Sequence, residues 1–210
     1  MFPPLYAILD ASRGDDFVLA LADSLAEGGV QLMQLRSKHA GSRGFYRLAT
    51  LLILRMRERG VRLIVNDRPD IAELAGAGGV HVGQEDLEVD EARQICGEGT
   101  WVGVSTHNLE QLRAANGTSA DYIAIGPVFP TASKASSDPV LGVDFLREAR
   151  SFTKKPLVAI GGITIEAARS VFQAGADSVA VIRDLADSPD PGGRAREFLQ
   201  VAERARMERN

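Results

Sequence analysis

The stretch VRLIVNDRPDIAELAGAGGVHVGQEDL, residues 61–87, contains two short apolar runs that each end in a polar cluster. The sequence NDR (66–68) follows the first run, and QED (84–86) follows the second. The runs are about 20 residues apart, which is the length of one strand–helix unit in a parallel α/β protein. If they are neighbouring parallel strands, both clusters lie at the same carboxyl-end rim. Asp67 and Asp86 then face one pocket, which predicts a divalent cation that holds a phosphorylated ligand.

Apolar runs of strand length alternate with amphipathic helical segments along the whole chain. The predicted strands are Leu5–Leu9, Val30–Leu35, Leu63–Val65, Val80–Val82, Trp101–Val104, Tyr122–Ile125, Leu157–Ile160 and Ser178–Ile182. The predicted helices include Asp16–Glu27, Ser42–Arg59, Leu109–Ala115, Val143–Phe152, Ile165–Ala174 and Gly193–Arg206. Apolar strands between amphipathic helices indicate a parallel sheet covered by helices, and such units close naturally into an α/β protein of the (β/α)8 TIM barrel class. An open doubly wound sheet is the alternative, although no GxGxxG opens an early helix.

The composition indicates one soluble domain. The chain has 210 residues, of which 45% are hydrophobic and 25% charged, and a single α/β barrel commonly has roughly 200 to 250 residues. We therefore expect residues 1–210 to form a single barrel domain. The net charge of −4 argues against a nucleic-acid partner, and the start MFPPLYAILD has neither a basic segment nor a long apolar stretch. With the lone thiol of Cys96, these features predict a cytoplasmic protein without a membrane partner; a homo-oligomer is compatible with them.

An amide and two basic residues alternate at the end of the second predicted strand. Gln34, Arg36 and Lys38 lie on a common side of the extended segment QLRSK, because side chains repeat every two residues there. Arginine offers a planar fork to phosphate oxygens, lysine a mobile point charge, and glutamine a hydrogen bond to a heteroaromatic ring. The three residues are predicted to bind a phosphorylated ring, and a solvated basic loop is the structural alternative.

The two aspartates follow neighbouring strands, with Asn66 beside the first. Magnesium prefers one or two carboxylates together with water and phosphate oxygens, so two aspartates are enough without a full protein cage. Each also has a structural alternative. Asp67 could pair with Arg68, and Asp86 could cap the helix that follows it.

A hydroxyl and a histidine follow the fifth predicted strand. The Ser105 hydroxyl can contact a bound phosphate or a reacting ring. His107 is at a predicted helix start, where a histidine more often caps or packs than acts as a base. His81 alternates within the fourth strand and is predicted to hydrogen-bond inside the barrel. The chain has no HxxxH or Cys/His spacing, so no zinc site is expected.

Phosphate-binding groups are predicted in the loops after the last three strands. The segment GPVFPTASK fixes a turn with glycine and proline and presents Thr131, Ser133 and Lys134, which are two hydroxyls and an ammonium suited to an anion. In phosphate-binding barrels, the loops after the seventh and eighth strands commonly offer backbone N–H groups. The candidates in those two loops are Gly161, Gly162, Ile182 and Arg183. A tight turn is the structural alternative for the two glycines.

Several strings, taken in chain order, resemble the successive motifs of the thiamine phosphate synthase family. They are QLRSK, LIVNDRPDIA, GVHVGQEDL, GVSTHN, DYIAIGPVFPTASK, PLVAIGGI and GADSVAV, and they cover most of residues 5–183. Short pieces such as AIGGI recur in many phosphate-binding barrels, whereas NDR and GQED together with GPVFPTxxK are specific. The resemblance implies a (β/α)8 barrel that joins hydroxymethylpyrimidine diphosphate to a thiazole phosphate, with magnesium, and releases thiamine phosphate and diphosphate.

The resemblance also implies a role for each candidate. The pyrimidine diphosphate would be bound by Gln34, Arg36, Lys38 and Asn66, with Ser105 near the reacting centre, and magnesium by Asp67 and Asp86. The thiazole phosphate would be bound by Thr131, Ser133, Lys134, Gly162 and the Ile182–Arg183 turn. Arg36, Lys38 and Lys134 would be catalytic, because all three could reach the leaving diphosphate.

Two positions depart from the family's usual residues, since Ser133 replaces a threonine and Arg183 replaces a serine. Arg183 could add a charge contact or, if it pointed inward, block the thiazole site. A thiazole tautomerase is the alternative enzyme; that family tends to lack the paired aspartates and to carry a histidine where this chain has Pro127. A non-catalytic regulator that binds thiazole phosphate is the alternative from another class.

Overall fold

The computed structural model describes residues 1–38, 40–131 and 139–209. Its parallel strands pair in chain order and the last pairs with the first, so the sheet is a closed barrel. The strands are β1 Leu5–Asp10, β2 Leu32–Arg36, β3 Arg62–Asn66, β4 Gly79–Val82, β5 Trp101–Thr106, β6 Tyr122–Ile125, β7 Leu157–Ile160 and β8 Ser178–Val181. The helices are α1 Asp15–Glu27, α2 Ser42–Arg57, α3 Pro69–Ala75, α4 Val89–Cys96, α5 Leu109–Asn116, α6 Gly142–Phe152, α7 Ile165–Gln173, α8 Arg183–Ala186 and α9 Pro191–Arg209. The (β/α)8 TIM barrel is confirmed, and the open doubly wound alternative is wrong.

Element ends differ from the prediction by a few residues, each for a local reason. Val30 was predicted to begin β2, but its N–H donates to Leu25 O at 3.0 Å and so completes the end of α1. Ile182 was predicted to end β8, but its backbone precedes α8 as the N-cap residue. The last helix begins at Pro191, where proline is favoured because the first helical N–H has no partner to lose.

Side chains alternate between two apolar layers along each strand, as the period of an extended chain requires. In β1, Leu5, Ala7 and Leu9 pack outward in the large cluster between strands and helices. Tyr6 and Ile8 point into a smaller cluster within the barrel. The helices supply the other half of the outer layer. None of them, among the described residues, is long and apolar enough to cross a membrane.

Aromatic side chains close the amino-terminal end of the barrel. Phe2 stacks on Trp101 with ring centroids 5.3 Å apart and lies 5.2 Å from the Tyr122 ring. The Arg62 guanidinium covers Trp101 at 4.1 Å from its centroid. A ligand therefore approaches from the opposite rim, where the strands have their carboxyl ends.

Candidate active site

Four charged residues that the sequence predicts for the site share one neighbourhood at the carboxyl rim. The pKa of Asp67 is raised to about 6, chiefly by burial and also by the charge of Asp86 and a hydrogen bond between the two side chains. The positive charges of Arg36 and Lys38 act in the opposite direction. The carboxyl ends of β2, β3 and β4, with the loops that follow them, thus bring two carboxylates and two basic side chains together, as their positions in the sequence predicted.

The Asp67 backbone has a left-handed conformation, with φ 62°, that only glycine adopts without cost. Its N–H donates to His81 O at 2.8 Å, which fixes it across the β3–β4 pair. Such strained residues typically cost on the order of 1–3 kcal/mol and cluster at functional sites. The structural alternative for Asp67 is wrong, because Arg68 instead bonds both carboxylate oxygens of Asp70, at 2.8 and 2.6 Å.

Asp86 is held by the loop that contains it. Its Oδ2 accepts a hydrogen bond from the Gly83 N–H at 2.7 Å. The predicted alternative, that Asp86 caps the next helix, is wrong, because Glu88 is the N-cap of α4 and forms a capping box with Glu91. Asp86 is exposed, so its second carboxylate oxygen can face the rim.

The aspartate pair is suited to a hard divalent cation that takes only one or two ligands from the protein. A cation between the two carboxylates would offset the charge of Asp86 that helps to raise the pKa of Asp67. In the described ranges of the chain, no group of three or more His, Cys, Asp or Glu side chains is arranged to hold a metal. Magnesium sites often consist of one or two carboxylates, with water and substrate phosphate oxygens as the other ligands. Asp67 and Asp86 at the open rim, beside basic residues suited to phosphate, match this ligand set.

The sequence analysis did not identify Asp10, which orients the Arg36 side chain. Asp10 ends β1, and its Oδ2 lies 3.2 Å from Nη1 of Arg36 on the adjacent strand. Although burial alone would raise the pKa of Asp10, hydrogen bonds from Ser12 and the charge of Arg36 lower it overall. The signal that could have found it is the one used elsewhere: a polar residue directly after an apolar run.

A chain of hydrogen bonds crosses the barrel interior below the charged rim. Gln34 Nε2 donates to the Tyr6 hydroxyl at 2.8 Å, and the hydroxyls of Tyr6 and Tyr122 lie 2.9 Å apart. Tyr122 is 3.1 Å from Nδ1 of His81, and Nε2 of that ring is 2.9 Å from Oγ of Ser105. His81 therefore hydrogen-bonds within the barrel, as predicted. The chain joins two predicted ligand-binding residues, Gln34 and Ser105.

Asn66 and Gln34 bring buried amide groups to the mouth of the barrel. They are only 8% and 3% exposed. The Asn66 side chain has no hydrogen bond to a described residue, and neither has the carbonyl oxygen of Gln34. Because buried polar groups are almost always paired, these amides are suited to a ligand that supplies the missing partners.

The predicted phosphate side is described only in part. Ser133 and Lys134 lie outside the described residues, and Thr131 is half-buried. Gly161 and Gly162 have φ of 99° and 63°, and a Cβ on Gly162 would lie 2.4 Å from Pro130 O. The glycines are therefore required by a tight turn against the loop after β6, whatever their N–H groups bind.

Arg183 is exposed and begins α8. It lines a cavity of about 290 Å³ at the rim, together with Asp10, Arg13, Phe17 and Ile182 among others. The Arg183 side chain is therefore not buried in the barrel interior.

His107 has a structural contact at the end of β5. Its Nδ1 lies 2.6 Å from the carbonyl oxygen of Gly126 at the end of β6, and its backbone N–H donates to Gln111. Asn108, not His107, caps α5. This agrees with the packing interpretation of His107 rather than with a general base.

Comparison with known proteins gives one family. A family model described as thiamine monophosphate synthase matches residues 5–185. A thiamine-phosphate synthase from Koribacter versatilis (strain Ellin345) is 52% identical over 204 residues, 95% of each chain. One from Syntrophomonas wolfei subsp. wolfei is 44% identical over 178 residues, 85% of each chain. The solved thiamine phosphate pyrophosphorylase from Pyrococcus furiosus has a TM-score of 0.86, 32% identity and 96% coverage of each chain. The chain belongs to the thiamine monophosphate synthase family, an enzyme family of the transferase class.

Proposed function

We propose that this protein is a magnesium-dependent thiamine phosphate synthase. It joins 4-amino-2-methyl-5-hydroxymethylpyrimidine diphosphate to 4-methyl-5-(2-phosphoethyl)thiazole and releases diphosphate. The observation that carries the proposal is the aspartate pair of Asp67 and Asp86 held beside Arg36 and Lys38 at the carboxyl rim. A cytoplasmic location is part of the proposal, in line with the free Cys96 thiol.

The binding roles follow the chemistry of the residues. Gln34, Asn66 and Ser105 bind the pyrimidine ring, since two buried amides and a hydroxyl can satisfy its amino group and ring nitrogens. Asp67 and Asp86 hold magnesium, which when bound neutralises diphosphate oxygens. The thiazole phosphate is bound by Thr131, Ser133, Lys134, Gly162 and the Ile182–Arg183 turn.

The reaction needs no protein nucleophile. The bond between the pyrimidine methylene carbon and the diphosphate oxygen breaks, and its electron pair leaves with the diphosphate. The electron-rich aminopyrimidine stabilises the positive charge left on the methylene carbon. The lone pair of the thiazole nitrogen then forms the new carbon–nitrogen bond. Arg36, Lys38 and Lys134 stabilise the negative charge that develops on the leaving group, and the barrel mouth aligns the rings and excludes water.

The first test is turnover. Purified protein is mixed with the two substrates and magnesium, with an EDTA control, and thiamine phosphate is followed as fluorescent thiochrome. Magnesium-dependent product is expected. If folded protein gives no product, the synthase proposal fails. Isomerisation of a thiazole phosphate carboxylate would then indicate a tautomerase, and binding of thiazole phosphate without turnover a regulator, for which Arg183→Ser is the informative variant.

The second test separates the proposed metal site from the fold. Asp67→Asn keeps a residue that tolerates positive φ but removes one of two repelling charges. We expect turnover to fall on the order of 10²-fold or more, because a preorganised charge contact is lost. The variant without metal should unfold at a temperature no lower than the wild type, and magnesium should no longer raise it.

Asp70→Asn is the matched control for that variant. Asp70 lies three residues further on, is exposed and forms an ion pair with Arg68. It should keep both the turnover and the magnesium-induced rise in unfolding temperature. A normal magnesium response in Asp67→Asn would contradict the metal assignment.

A further inference from the structure

The hydrogen-bond chain inside the barrel has one end with a fixed direction. The amide nitrogen of Gln34 can only donate, so the Tyr6 oxygen accepts from it. The Tyr122 oxygen is the one acceptor for the Tyr6 proton among the described residues, so a paired Tyr6 hydroxyl donates to Tyr122. Tyr122 in turn directs its proton to Nδ1 of His81. The direction of each hydrogen bond follows from the one before it.

The remaining bonds determine what the chain presents at its other end. With Nδ1 of His81 acting as the acceptor, the ring proton is on Nε2, which donates to Oγ of Ser105. The Ser105 proton is then available to a ligand. At the first end, the bond to Tyr6 uses one amide hydrogen of Gln34 and fixes the amide, so that its carbonyl oxygen and its second N–H remain for a ligand.

The environment keeps both phenols in the state that this direction requires. Tyr6 and Tyr122 are fully buried within the barrel. Burial raises the pKa of each phenol well above its ordinary value. Both hydroxyls therefore keep their protons at every pH at which the enzyme is expected to work.

We propose that Tyr6, Tyr122 and His81 are positioning residues. They determine which hydrogen-bond donors and acceptors Gln34 and Ser105 present to the pyrimidine ring. Gln34 offers its carbonyl oxygen as an acceptor and its second N–H as a donor, and Ser105 offers a further donor. A 4-aminopyrimidine matches this pattern, because its amino group donates and its ring nitrogens accept. A 4-oxopyrimidine presents a carbonyl oxygen where the amino group would be, and that oxygen repels the Gln34 carbonyl. This inference rests on the proposed function. It adds a physical reason why the site would select a 4-aminopyrimidine over a 4-oxopyrimidine.

The key measurement compares two dissociation constants, one for the 4-aminopyrimidine diphosphate and one for its 4-oxo analogue. Both are measured by titration calorimetry in the presence of magnesium, and their ratio gives the preference for the amino compound. Tyr122→Phe keeps the ring but removes the hydroxyl at the middle of the chain. We expect the preference for the amino compound to fall about tenfold, which corresponds to the loss of one buried hydrogen bond of fixed direction. The KM for thiazole phosphate should not change, because the proposed binding residues for that substrate are not part of the hydrogen-bond chain.

Two sets of variants control for a general loss of packing. Tyr46→Phe makes the same change on an exposed helix face and should leave the ratio as in the wild type. His81→Gln has an amide nitrogen that can still donate to Ser105, whereas His81→Leu has none. The glutamine variant should keep more of the preference than the leucine variant, and this pair carries the test if Tyr122→Phe does not fold.

The outcomes distinguish this inference from the proposed function. Wild-type turnover with an unchanged amino-to-oxo ratio in folded Tyr122→Phe overturns the inference and leaves the synthase proposal standing. Equal preference in His81→Gln and His81→Leu also overturns it. If the wild type neither turns over nor binds the pyrimidine diphosphate, the proposed function fails and the inference fails with it.

Discussion

Gly103 shows how one residue makes room for the interior hydrogen-bond chain. A Cβ at this position would lie 2.0 Å from Cζ of Tyr122, a distance that no side chain can occupy. A glycine inside a strand often marks such a close approach. The sequence WVGVST therefore contains the signal, but the ring that fills the space comes from the next strand.

Gly103→Ala is expected to lower the free energy of unfolding by about 1–3 kcal/mol, the usual range for an overpacked core. It should also weaken binding of the pyrimidine diphosphate, because the Tyr122 ring must move. Urea unfolding and calorimetry measure the two effects. Gly99→Ala is the control, since nothing lies within 4 Å of its added Cβ. Equal stability of the two variants would show that the barrel accommodates the methyl group.

Cys96 is buried at the end of α4, where its thiol donates to Pro69 O at 3.4 Å. Burial, with a contribution from the Glu73 carboxylate, raises the pKa of the thiol to about 11. A raised thiol pKa means that the unreactive neutral form dominates until the pH approaches that value. The environment of Cys96 therefore favours a structural role over a reactive one.

We expect the native protein to react with iodoacetamide at pH 8.5 at least about 100-fold more slowly than the urea-unfolded protein, in which the thiol has an ordinary pKa. The rate for native protein should rise tenfold per pH unit up to about pH 10. Mass spectrometry of the Cys96 peptide follows the reaction. Equal rates in the native and unfolded protein would mean that the thiol is accessible and ionised.

At the scale of elements, two similar arginine clamps tie strands to the preceding helices at the amino-terminal end of the barrel. Asp177, just before β8, accepts hydrogen bonds from the Leu157 N–H at 2.8 Å and from Arg150 at 2.7 Å. Asp121, just before β6, is paired in the same way with the Val102 N–H and with Arg93. Each carboxylate accepts hydrogen bonds both from a backbone N–H at the start of the neighbouring strand and from an arginine on a helix.

Asp177→Ala should lower the free energy of unfolding by about 2 kcal/mol, because it leaves a half-buried guanidinium and a backbone N–H without their acceptor. Asp144→Ala, which breaks an exposed pair with Arg147 on α6, is the control and should change stability little. Both are measured by urea unfolding. Turnover per folded molecule should be normal in both, since Asp177 lies at the amino-terminal end of the barrel and the Asp144 side chain is exposed to solvent. An unchanged free energy of unfolding in Asp177→Ala would mean that the clamp contributes no net stability.

Across the whole molecule, stability and the proposed chemistry lie at opposite ends of the barrel. The amino-terminal end has the Phe2–Trp101 stack and the two arginine clamps. The carboxyl end has the strained backbone of Asp67 and a pair of mutually repelling carboxylates. A closed sheet allows this division, because each strand is fixed along its length by two neighbours while its carboxyl-end loop is free to serve a ligand.

The sequence by itself determined the barrel and most of the charged rim. Apolar period and spacing are local properties, so the strands, the helices and the positions of Asp67, Asp86, Arg36 and Lys38 after them were predictable. The carboxyl ends of parallel strands meet at one rim, and this rule alone brought those four together.

Only the tertiary structure decided the partners and conformations within that frame. Tyr6 and Tyr122 are 116 residues apart in sequence, yet their hydroxyls are in hydrogen-bonding contact. The positive φ of Asp67 and the pairing of Asp10 with Arg36 also depend on neighbouring strands. Sequence periodicity gives the side of a strand on which a residue lies. It does not give the residue that faces it across the barrel, because that depends on the register and size of the closed sheet.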